Sequence, residues 1–150
     1  RGPQIAKGYL NDPETTKNTF SNGWLRTGDI AVRDEDGILT IVDRKKDMLI
    51  YNGYNVYPRY LEELLYEHEA VQSCVVLGVP DDRAGEIPKA FVVLKSGATA
   101  ALTDIQEFVN SRVVHYSKIR EIEQLDALPM TAAGKISRIA LQKLEASKSN

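Results

Sequence analysis

Two apolar runs in the middle of the chain constrain its fold more than any other feature. Residues 71–79 and 87–94 are rich in valine, leucine and phenylalanine, which is typical of buried β-strands. Between them lie Pro80, Asp81 and Asp82, residue types that favour a turn. We therefore predict two buried strands joined by a turn.

A helical pattern precedes these strands. Pro58 suits the first position of a helix, and Leu61, Leu64 and Leu65 follow at spacings of three and four, which places them on one face. The charged residues of this helix are therefore expected to face water.

A second helical pattern follows the strands. Thr103 and Gln106 have the spacing of a capping box, and apolar residues then recur at helical spacing through residues 105–113. A short strand near residues 121–125 and a last helix over about residues 137–146 are predicted next. Because helices and strands alternate, this part of the chain should be a compact α+β domain with helices packed on a small sheet.

The first forty or so residues have a different pattern. Two β-like runs, residues 30–33 and 38–42, are separated by the sequence Asp-Glu-Asp-Gly and predict a hairpin. Turn-forming residues also occur at residues 11–13 and 21–23. The charged stretch at residues 43–47 then interrupts the pattern and predicts a domain boundary.

Length and composition limit the possible classes of protein. The 150 residues suffice for one ordinary domain with a short piece of another, and residues 147–150 form a polar tail that is expected to be disordered. The net charge of −2 is spread without a basic stripe, so neither nucleic acid nor an anionic membrane is the expected partner. No apolar run reaches the roughly 18 residues of a membrane span.

The single cysteine and the start of the chain give two further expectations. Cys74 lies in an apolar run and has no second cysteine to pair with, so we expect a core residue and a reducing, cytoplasmic location. The chain opens at Arg1 with neither a methionine nor a signal peptide, and it is expected to be a fragment.

The chemistry-bearing residues are ambiguous when each is taken alone. Asp29 follows Thr27 and Gly28, and a carboxylate there suits a turn as well as the paired hydroxyls of a ribose. Lys135 follows Gly134 on a predicted turn, from which its ammonium group could approach an anionic centre.

Several familiar site types are not expected. The chain has no phosphate loop of the Gly-x-x-x-x-Gly-Lys-Ser/Thr type, so phosphates would have to be held chiefly by another part of the protein. His68 and His115 do not complete a catalytic triad or a metal-ligand cluster, and both are interpreted as structural. No metal ligands are expected in this chain.

Five motifs in order resemble the adenylate-forming superfamily, which contains acyl-CoA synthetases, luciferases and peptide-synthetase adenylation domains. The resemblance covers nearly the whole chain, and its second motif is Gly-Trp-Leu-Arg-Thr-Gly-Asp. The motifs occupy residues 8–10, 23–29, 43–47, 53–58 and 128–136. Asp-Arg-Lys-Lys-Asp-Met followed by Gly-Tyr-Asn-Val-Tyr-Pro resembles the fatty-acyl and 4-coumarate CoA ligases more than the amino-acid-activating enzymes.

The resemblance implies a fold and a reaction. Residues 1–45 would be the β-rich end of a large N-terminal adenylation domain, and residues 46–150 a mobile C-terminal lid. The full enzyme would be an acid–thiol ligase of fatty-acid or aryl-acid metabolism. It would join a carboxylate to ATP, giving acyl-AMP and pyrophosphate, and then use CoA to displace AMP. Mg²⁺ would accompany ATP in the missing domain, and the isolated fragment would be inactive.

The resemblance also implies roles for individual residues. Asp29 would bind the ribose hydroxyls, Arg44 would contact the same sugar, and Lys46 would be the hinge of the lid. Lys135 would be the catalytic residue of the adenylating orientation, in which it positions the acyl carboxylate and stabilises charge at the α-phosphate. In the other orientation, the passage for the pantetheine arm of CoA would be lined by Gly53, Tyr54 and Asn55.

Two alternative functions stay open, and two departures from the family pattern leave the CoA contacts and the subfamily open. The enzyme could instead load a carrier protein, or the chain could be a non-enzymatic module that binds nucleotides or partners. Residues 116–120 read Tyr-Ser-Lys-Ile-Arg where the family commonly has Tyr-Lys-x-Pro-Arg, and Tyr60 replaces a usual glutamate. The pocket that selects the acyl group would lie outside this chain, so its sequence does not choose between fatty and aryl acids.

Overall fold

A computed structural model describes residues 1–148 of the chain. The fold divides into two compact units, the first comprising Arg1–Lys46 and the second beginning at Asp47. The assignment of residues 1–45 to the end of a larger domain, and of residues 46–150 to a mobile lid, stays a prediction.

The first unit begins with a helix that the sequence interpretation missed. Helix α1 spans Pro13–Thr19, and the Asp12 side chain caps it by accepting a hydrogen bond from the Thr15 N–H at 2.9 Å. A turn was expected at residues 11–13 from the same residue types. The segment starts a helix because an aspartate at the N-cap and a proline at the first position are both favourable there.

Two short antiparallel ladders follow in this unit. Strands β1 (Phe20–Ser21) and β2 (Trp24–Leu25) are joined by the predicted turn, and β3 (Asp29–Arg33) pairs with β4 (Leu39–Arg44). The hairpin predicted from residues 30–33 and 38–42 is thereby confirmed. Its register places Asp29 opposite Arg44.

The second unit is built on a five-stranded sheet. Its strands are β5 (Leu49–Tyr51), β6 (Tyr54–Val56), β7 (Val71–Asp81), β8 (Gly85–Leu94) and β9 (Glu121–Gln124). The first four run in the antiparallel order β6-β5-β8-β7, and β9 pairs with β8 in parallel.

The long central pair of strands is confirmed, but its turn lies later than predicted. Strand β7 continues through Pro80 to Asp81, so the expected turn at residues 80–82 was placed too early. Proline is tolerated in β7 because this strand pairs only with β8 among the described strands, and an edge strand loses no ladder bond at such a position.

Helices cover both faces of this sheet. They are α2 (Pro58–Tyr66), α3 (Leu102–Asn110) and α4 (Arg138–Lys148), and a short 3₁₀ helix spans His115–Ser117. One face of the sheet packs on α2 and α3 through side chains that include Leu61 and Ile105. The other packs on α4 around Phe91 and Leu141. The predicted α+β class, with helices packed on a small sheet, is confirmed.

Three details of the helices differ from expectation. Helix α3 starts at Leu102 with Ala101 as its N-cap and no side-chain cap, so the predicted capping box is wrong: Thr103 already lies inside the helix. In the expected polar tail, Ser147 and Lys148 instead extend α4, while residues 149–150 lie outside the described residues. On α2, the Glu62 side chain is largely buried, at 15% exposed, rather than facing water.

The expectation that Cys74 is a core residue is confirmed, since it is a buried free thiol of the first core cluster. Burial, with a smaller contribution from the charge of Glu62, raises the pKa of this thiol to about 12. Within the described part of the chain, no helix is long and apolar enough to cross a membrane.

Candidate functional site

Asp29 and Arg44 meet across the hairpin of the first unit. They are directly opposite in the register of β3 and β4, and the Arg44 Nε atom lies 3.8 Å from the Asp29 Oδ1 atom. The Asp29 N–H donates to Thr27 Oγ1 at 3.1 Å, which fixes the start of β3. The two side chains are 29% and 63% exposed, so both keep hydrogen-bonding capacity for a ligand.

An open hollow lies beside this pair within the first unit. It has a volume of about 640 Å³ and is lined by Thr27, Gly28, Arg44, Lys45 and Lys46. The Lys45 N–H donates to the Gly28 carbonyl oxygen at 2.8 Å and so joins two of the lining segments. A hollow that combines an arginine and two lysines with a neighbouring carboxylate suits a nucleotide, whose sugar offers hydroxyls and whose phosphates are anionic.

Lys46 is the last residue of the first unit. It belongs to the turn that follows β4, and the second unit begins at the next residue. A turn between two separately packed units is the kind of position at which a backbone torsion can change without disturbing a core.

The glycine predicted to line a passage sits at the tip of a tight hairpin in the second unit. Asn52 and Gly53 connect β5 to β6 with φ angles of 48° and 82°, both in the left-handed region. This is the backbone of a two-residue turn, which glycine and asparagine favour. No atom lies within 4 Å of a Cβ built on Gly53, so the space above it is open.

The residues that follow Gly53 present an aromatic surface. Tyr54 is 56% exposed, and its ring stacks on that of Tyr116 with centroids 4.7 Å apart and an interplanar angle of 10°. Asn55 is exposed on β6 opposite Ile50. Sequence reasoning identified Tyr116 only as part of a departure from the family pattern, because its contact with Tyr54 joins residues that are far apart in the chain.

Lys135 lies on a loop that is closed by its own hydrogen bonds. The Thr131 N–H donates to the Lys135 carbonyl oxygen at 2.7 Å, and the Gly134 N–H donates to the Thr131 carbonyl oxygen at 2.9 Å. The Lys135 N–H donates to Thr131 Oγ1 at 3.2 Å. Gly134 has a φ angle of 71°, which glycine adopts without strain. These bonds close the loop, and Lys135 is exposed to solvent.

Both ends of this loop are attached to the second core cluster. Leu128 is buried, and Ile136 packs against the same cluster. The Ser137 N–H donates to the Pro129 carbonyl oxygen at 2.7 Å and joins the outgoing and returning arms. The position of Lys135 therefore depends on how α4 packs on the sheet.

The sequence-predicted residues occupy three places. Asp29 and Arg44 come together in the first unit, whereas Gly53, Tyr54 and Asn55 share a hairpin of the second unit and Lys135 lies on a different loop of it. The roles assigned to these residues stay predictions.

Sequence reasoning missed an ion pair near the Lys135 loop. Arg138 begins α4, and its Nη2 atom lies 2.6 Å from Glu62 Oε1 on α2. The only sequence signal was the position of Arg138, three residues after Lys135; its partner is 76 residues away and followed no pattern.

The described residues do not fit a metal ion. Residues 1–148 contain no group of three or more histidine, cysteine, aspartate or glutamate side chains placed to hold one.

The second unit is a small α+β module whose candidate functional residues lie on an exposed hairpin and an exposed loop beside a helix-covered sheet. Residues 60–135 match the model of the AMP-binding enzyme C-terminal domain, and the chain belongs to that family. The family resemblance predicted from the five motifs is thereby confirmed.

Curated relatives and a solved structure agree with this assignment. The chain is 51% identical to a long-chain-fatty-acid–CoA ligase of Bacillus subtilis over 97% of its length, and 46% identical to 4-coumarate–CoA ligase 1 of Petroselinum crispum over 92%. It covers 26% of each, so it spans about a quarter of their length. The crystal structure of ATP-bound MatB from Rhodopseudomonas palustris matches 100% of this chain and 30% of that one, with 30% identity and a TM-score of 0.91.

Proposed function

We propose that the chain is the C-terminal part of an ATP-dependent acyl-CoA ligase. The enzyme converts a carboxylate and ATP into acyl-AMP and pyrophosphate, and then converts acyl-AMP and CoA into acyl-CoA and AMP. The observation that carries the proposal is the Asp29–Arg44 pair beside an open basic hollow, in a chain whose relatives are CoA ligases.

The first unit holds the nucleotide. The Asp29 carboxylate accepts hydrogen bonds from the ribose hydroxyls, and the Arg44 guanidinium donates to the same sugar. Their 3.8 Å separation keeps each charge close to its partner while leaving both side chains accessible. The pair contributes little to stability, since exposed ion pairs are worth about 1 kcal/mol or less.

Lys135 acts in the first half-reaction. Its ammonium group positions the acyl carboxylate and stabilises negative charge that accumulates at the α-phosphate as the new bond forms. Thr131 holds its backbone through two hydrogen bonds, one donated to the Lys135 carbonyl oxygen and one accepted from the Lys135 N–H. The charge becomes useful only when the second unit docks over the bound nucleotide.

The second half-reaction uses another face of the second unit. Rotation about Lys46 withdraws Lys135 and brings the Gly53 hairpin to the nucleotide, where the open space above Gly53 admits the narrow pantetheine arm of CoA. Tyr54 and Asn55 line this passage. The rest of the enzyme supplies the acyl pocket and the ligands for Mg²⁺, and the acid is a long-chain fatty acid or an aryl acid.

The products formed from ATP test the reaction directly. The longer enzyme that carries this chain should convert ATP to AMP and pyrophosphate when given fatty or aryl acids and CoA, and mass spectrometry should find the acyl-CoA. Formation of ADP and phosphate would contradict adenylate chemistry. If the acyl group were transferred to a phosphopantetheinylated carrier protein but not to free CoA, the proposed adenylation step would stand and the proposed acceptor would be wrong.

The passage above Gly53 has its own test, with a control for backbone strain. Any side chain at this φ angle costs about 1–2 kcal/mol, so Gly53→Ala and Gly53→Leu share that strain. Only leucine fills the passage, and it should slow CoA capture more than alanine does while both leave adenylation similar. Equal thioester rates in the two variants would contradict the proposal that Gly53 lines the passage.

A further inference from the structure

An arginine next to the Lys135 loop occupies the outer edge of the sheet. The Arg138 Nη1 atom donates to the Val76 carbonyl oxygen at 2.7 Å, and its Nη2 atom donates to Glu62 Oε1 at 2.6 Å. The same Glu62 oxygen accepts the Val76 N–H at 2.8 Å. The side chains of Arg138 and Glu62 thus satisfy both backbone groups of Val76.

Arg138 and Glu62 make the hydrogen bonds that a neighbouring strand would otherwise make to Val76. Among the described strands β7 pairs only with β8, so the outward N–H and carbonyl of Val76 have no strand partner. The Arg138 and Glu62 side chains are only 25% and 15% exposed. Loss of either partner would leave the other charge poorly solvated, which makes the geometry costly to break.

The guanidinium shape matters for this contact. Arg138 donates from two different nitrogens to two different acceptors, which a planar fork does in one orientation. A lysine at this position would keep the charge but would bring a single ammonium nitrogen. It could not reproduce both contacts with the same side-chain geometry.

The contact fixes the returning arm of the Lys135 loop. Arg138 is the first residue of α4, directly after Ser137, which closes the two arms through its bond to Pro129. The hydrogen bonds of Thr131 and Gly134 are internal to the loop, so they set its shape but not its place on the unit. Leu128 and Ile136 attach its ends to the second core cluster, and the Arg138 contacts connect it further to α2 and β7.

We propose that Arg138 is a positioning residue for Lys135, acting through its pair with Glu62. This inference rests on the proposed role of Lys135 in adenylation and adds a residue that touches no substrate. A displaced loop would put the ammonium group out of place for the first half-reaction, whereas the second half-reaction uses the Gly53 hairpin and does not need Lys135.

Separate measurement of the two half-reactions in the full-length enzyme distinguishes positioning from general stability. Adenylation is followed by carboxylate-dependent exchange of pyrophosphate into ATP, and thioester formation by adding acyl-AMP and CoA. Misplacement by about an ångström costs on the order of 100-fold, so Arg138→Ala should lose roughly that factor in adenylation and Arg138→Lys roughly 10-fold. Thioester formation should stay within about threefold of the parent enzyme in both.

Two further variants sharpen the test. Glu62→Gln keeps an oxygen that accepts from Val76 and Arg138 but removes the charge, so it should show a smaller loss confined to adenylation. Lys143→Ala removes an exposed cation from the same helix and should change neither half-reaction.

Lys135→Ala, measured in parallel, distinguishes failure of the proposed role of Lys135 from failure of the positioning role of Arg138. Equal losses in both half-reactions of Lys135→Ala would remove the proposed function of that lysine. A selective loss in Lys135→Ala, combined with no loss or an equal loss in Arg138→Lys, would overturn the positioning role alone. If thermal melting shows that the Arg138 variants and Glu62→Gln are all unfolded, the pair is structural and the inference is wrong.

Discussion

The two units of the chain contrast in how they bury apolar side chains. In the second unit, two clusters fill both faces of the sheet, and residues such as Phe91 and Leu61 are about 1% exposed or less. Across residues 1–46, all of which the structure describes, Asp43 is the one buried residue. Strand β4 even exposes Leu39 and Ile41 by half or more.

This contrast shows that regular secondary structure does not make a unit self-sufficient. The first unit has ladders and a capped helix, but it lacks the burial that offsets the conformational entropy lost on folding. The second unit has two core clusters of its own. The difference supports the proposal that the first unit completes a larger domain.

The largest effect should come from separating the units. Residues 47–150 alone should unfold cooperatively on heating, because both core clusters lie within them. Residues 1–46 alone should show no cooperative transition, since isolated two-stranded ladders are marginal in water. Circular dichroism melts of the two fragments test this, and a cooperative melt of residues 1–46 would show that the first unit is stable without a buried apolar core.

Core truncations should differ sharply between the units. Phe91→Ala should lower the free energy of unfolding of the chain by about 3–5 kcal/mol, because it leaves a cavity among fully buried side chains. Leu39→Ala, at a side chain that is 66% exposed, should cost less than about 0.5 kcal/mol. Urea denaturation measures both values.

The same Leu39→Ala substitution sharpens the proposal for the first unit. In the longer enzyme, the exposed face of β4 should be covered, so the cost should rise to about 2 kcal/mol or more. An unchanged cost in the longer enzyme would mean that this face stays in contact with solvent.

Acid should weaken the second unit by a smaller amount. Hydrogen bonding to Lys148 lowers the pKa of Glu123 from its ordinary 4.5, and buried Lys89 adds a further attraction. A carboxyl whose pKa is lowered on folding stabilises the native state above pH 4.5, and that stability is lost as the pH falls through the folded-state pKa. Glu123→Gln should therefore flatten the acid side of the melting profile, by less than about 1 kcal/mol.

Glu69→Gln is the control for this effect, because it neutralises an exposed carboxyl outside that ion cluster. It should leave the melting temperature and its dependence on pH nearly unchanged. An equal flattening in both variants would assign the acid sensitivity to net charge instead of the cluster.

The sequence predicted most of the second unit because its signals are local or periodic. Leu61, Leu64 and Leu65 mark the buried face of α2, and the two apolar runs became β7 and β8. The capping box at Thr103 failed because the chain already enters the helix at Leu102, where packing of the apolar residues outweighs a single cap.

Long-range pairs were the part that sequence could not supply. Asp29 and Arg44 were both recognised from motifs, whereas the contact between Glu62 and Arg138 depends on the free edge of β7, which exists only after the sheet has formed. The sequence around a charged residue on a helix does not indicate that its side chain will bond the backbone of an edge strand. The partial burial of Glu62 and Arg138 is visible only in the folded unit.

The role of Lys135 is tested most directly by measuring both half-reactions in one variant. In the full-length enzyme, Lys135→Ala should lower acyl-adenylate formation by roughly 100- to 1,000-fold, the usual effect of removing a charge that stabilises a transition state. Thioester formation from supplied acyl-adenylate should remain near the parent rate, as it should for both reactions in Lys143→Ala. Equal losses in the two half-reactions of Lys135→Ala would contradict the account.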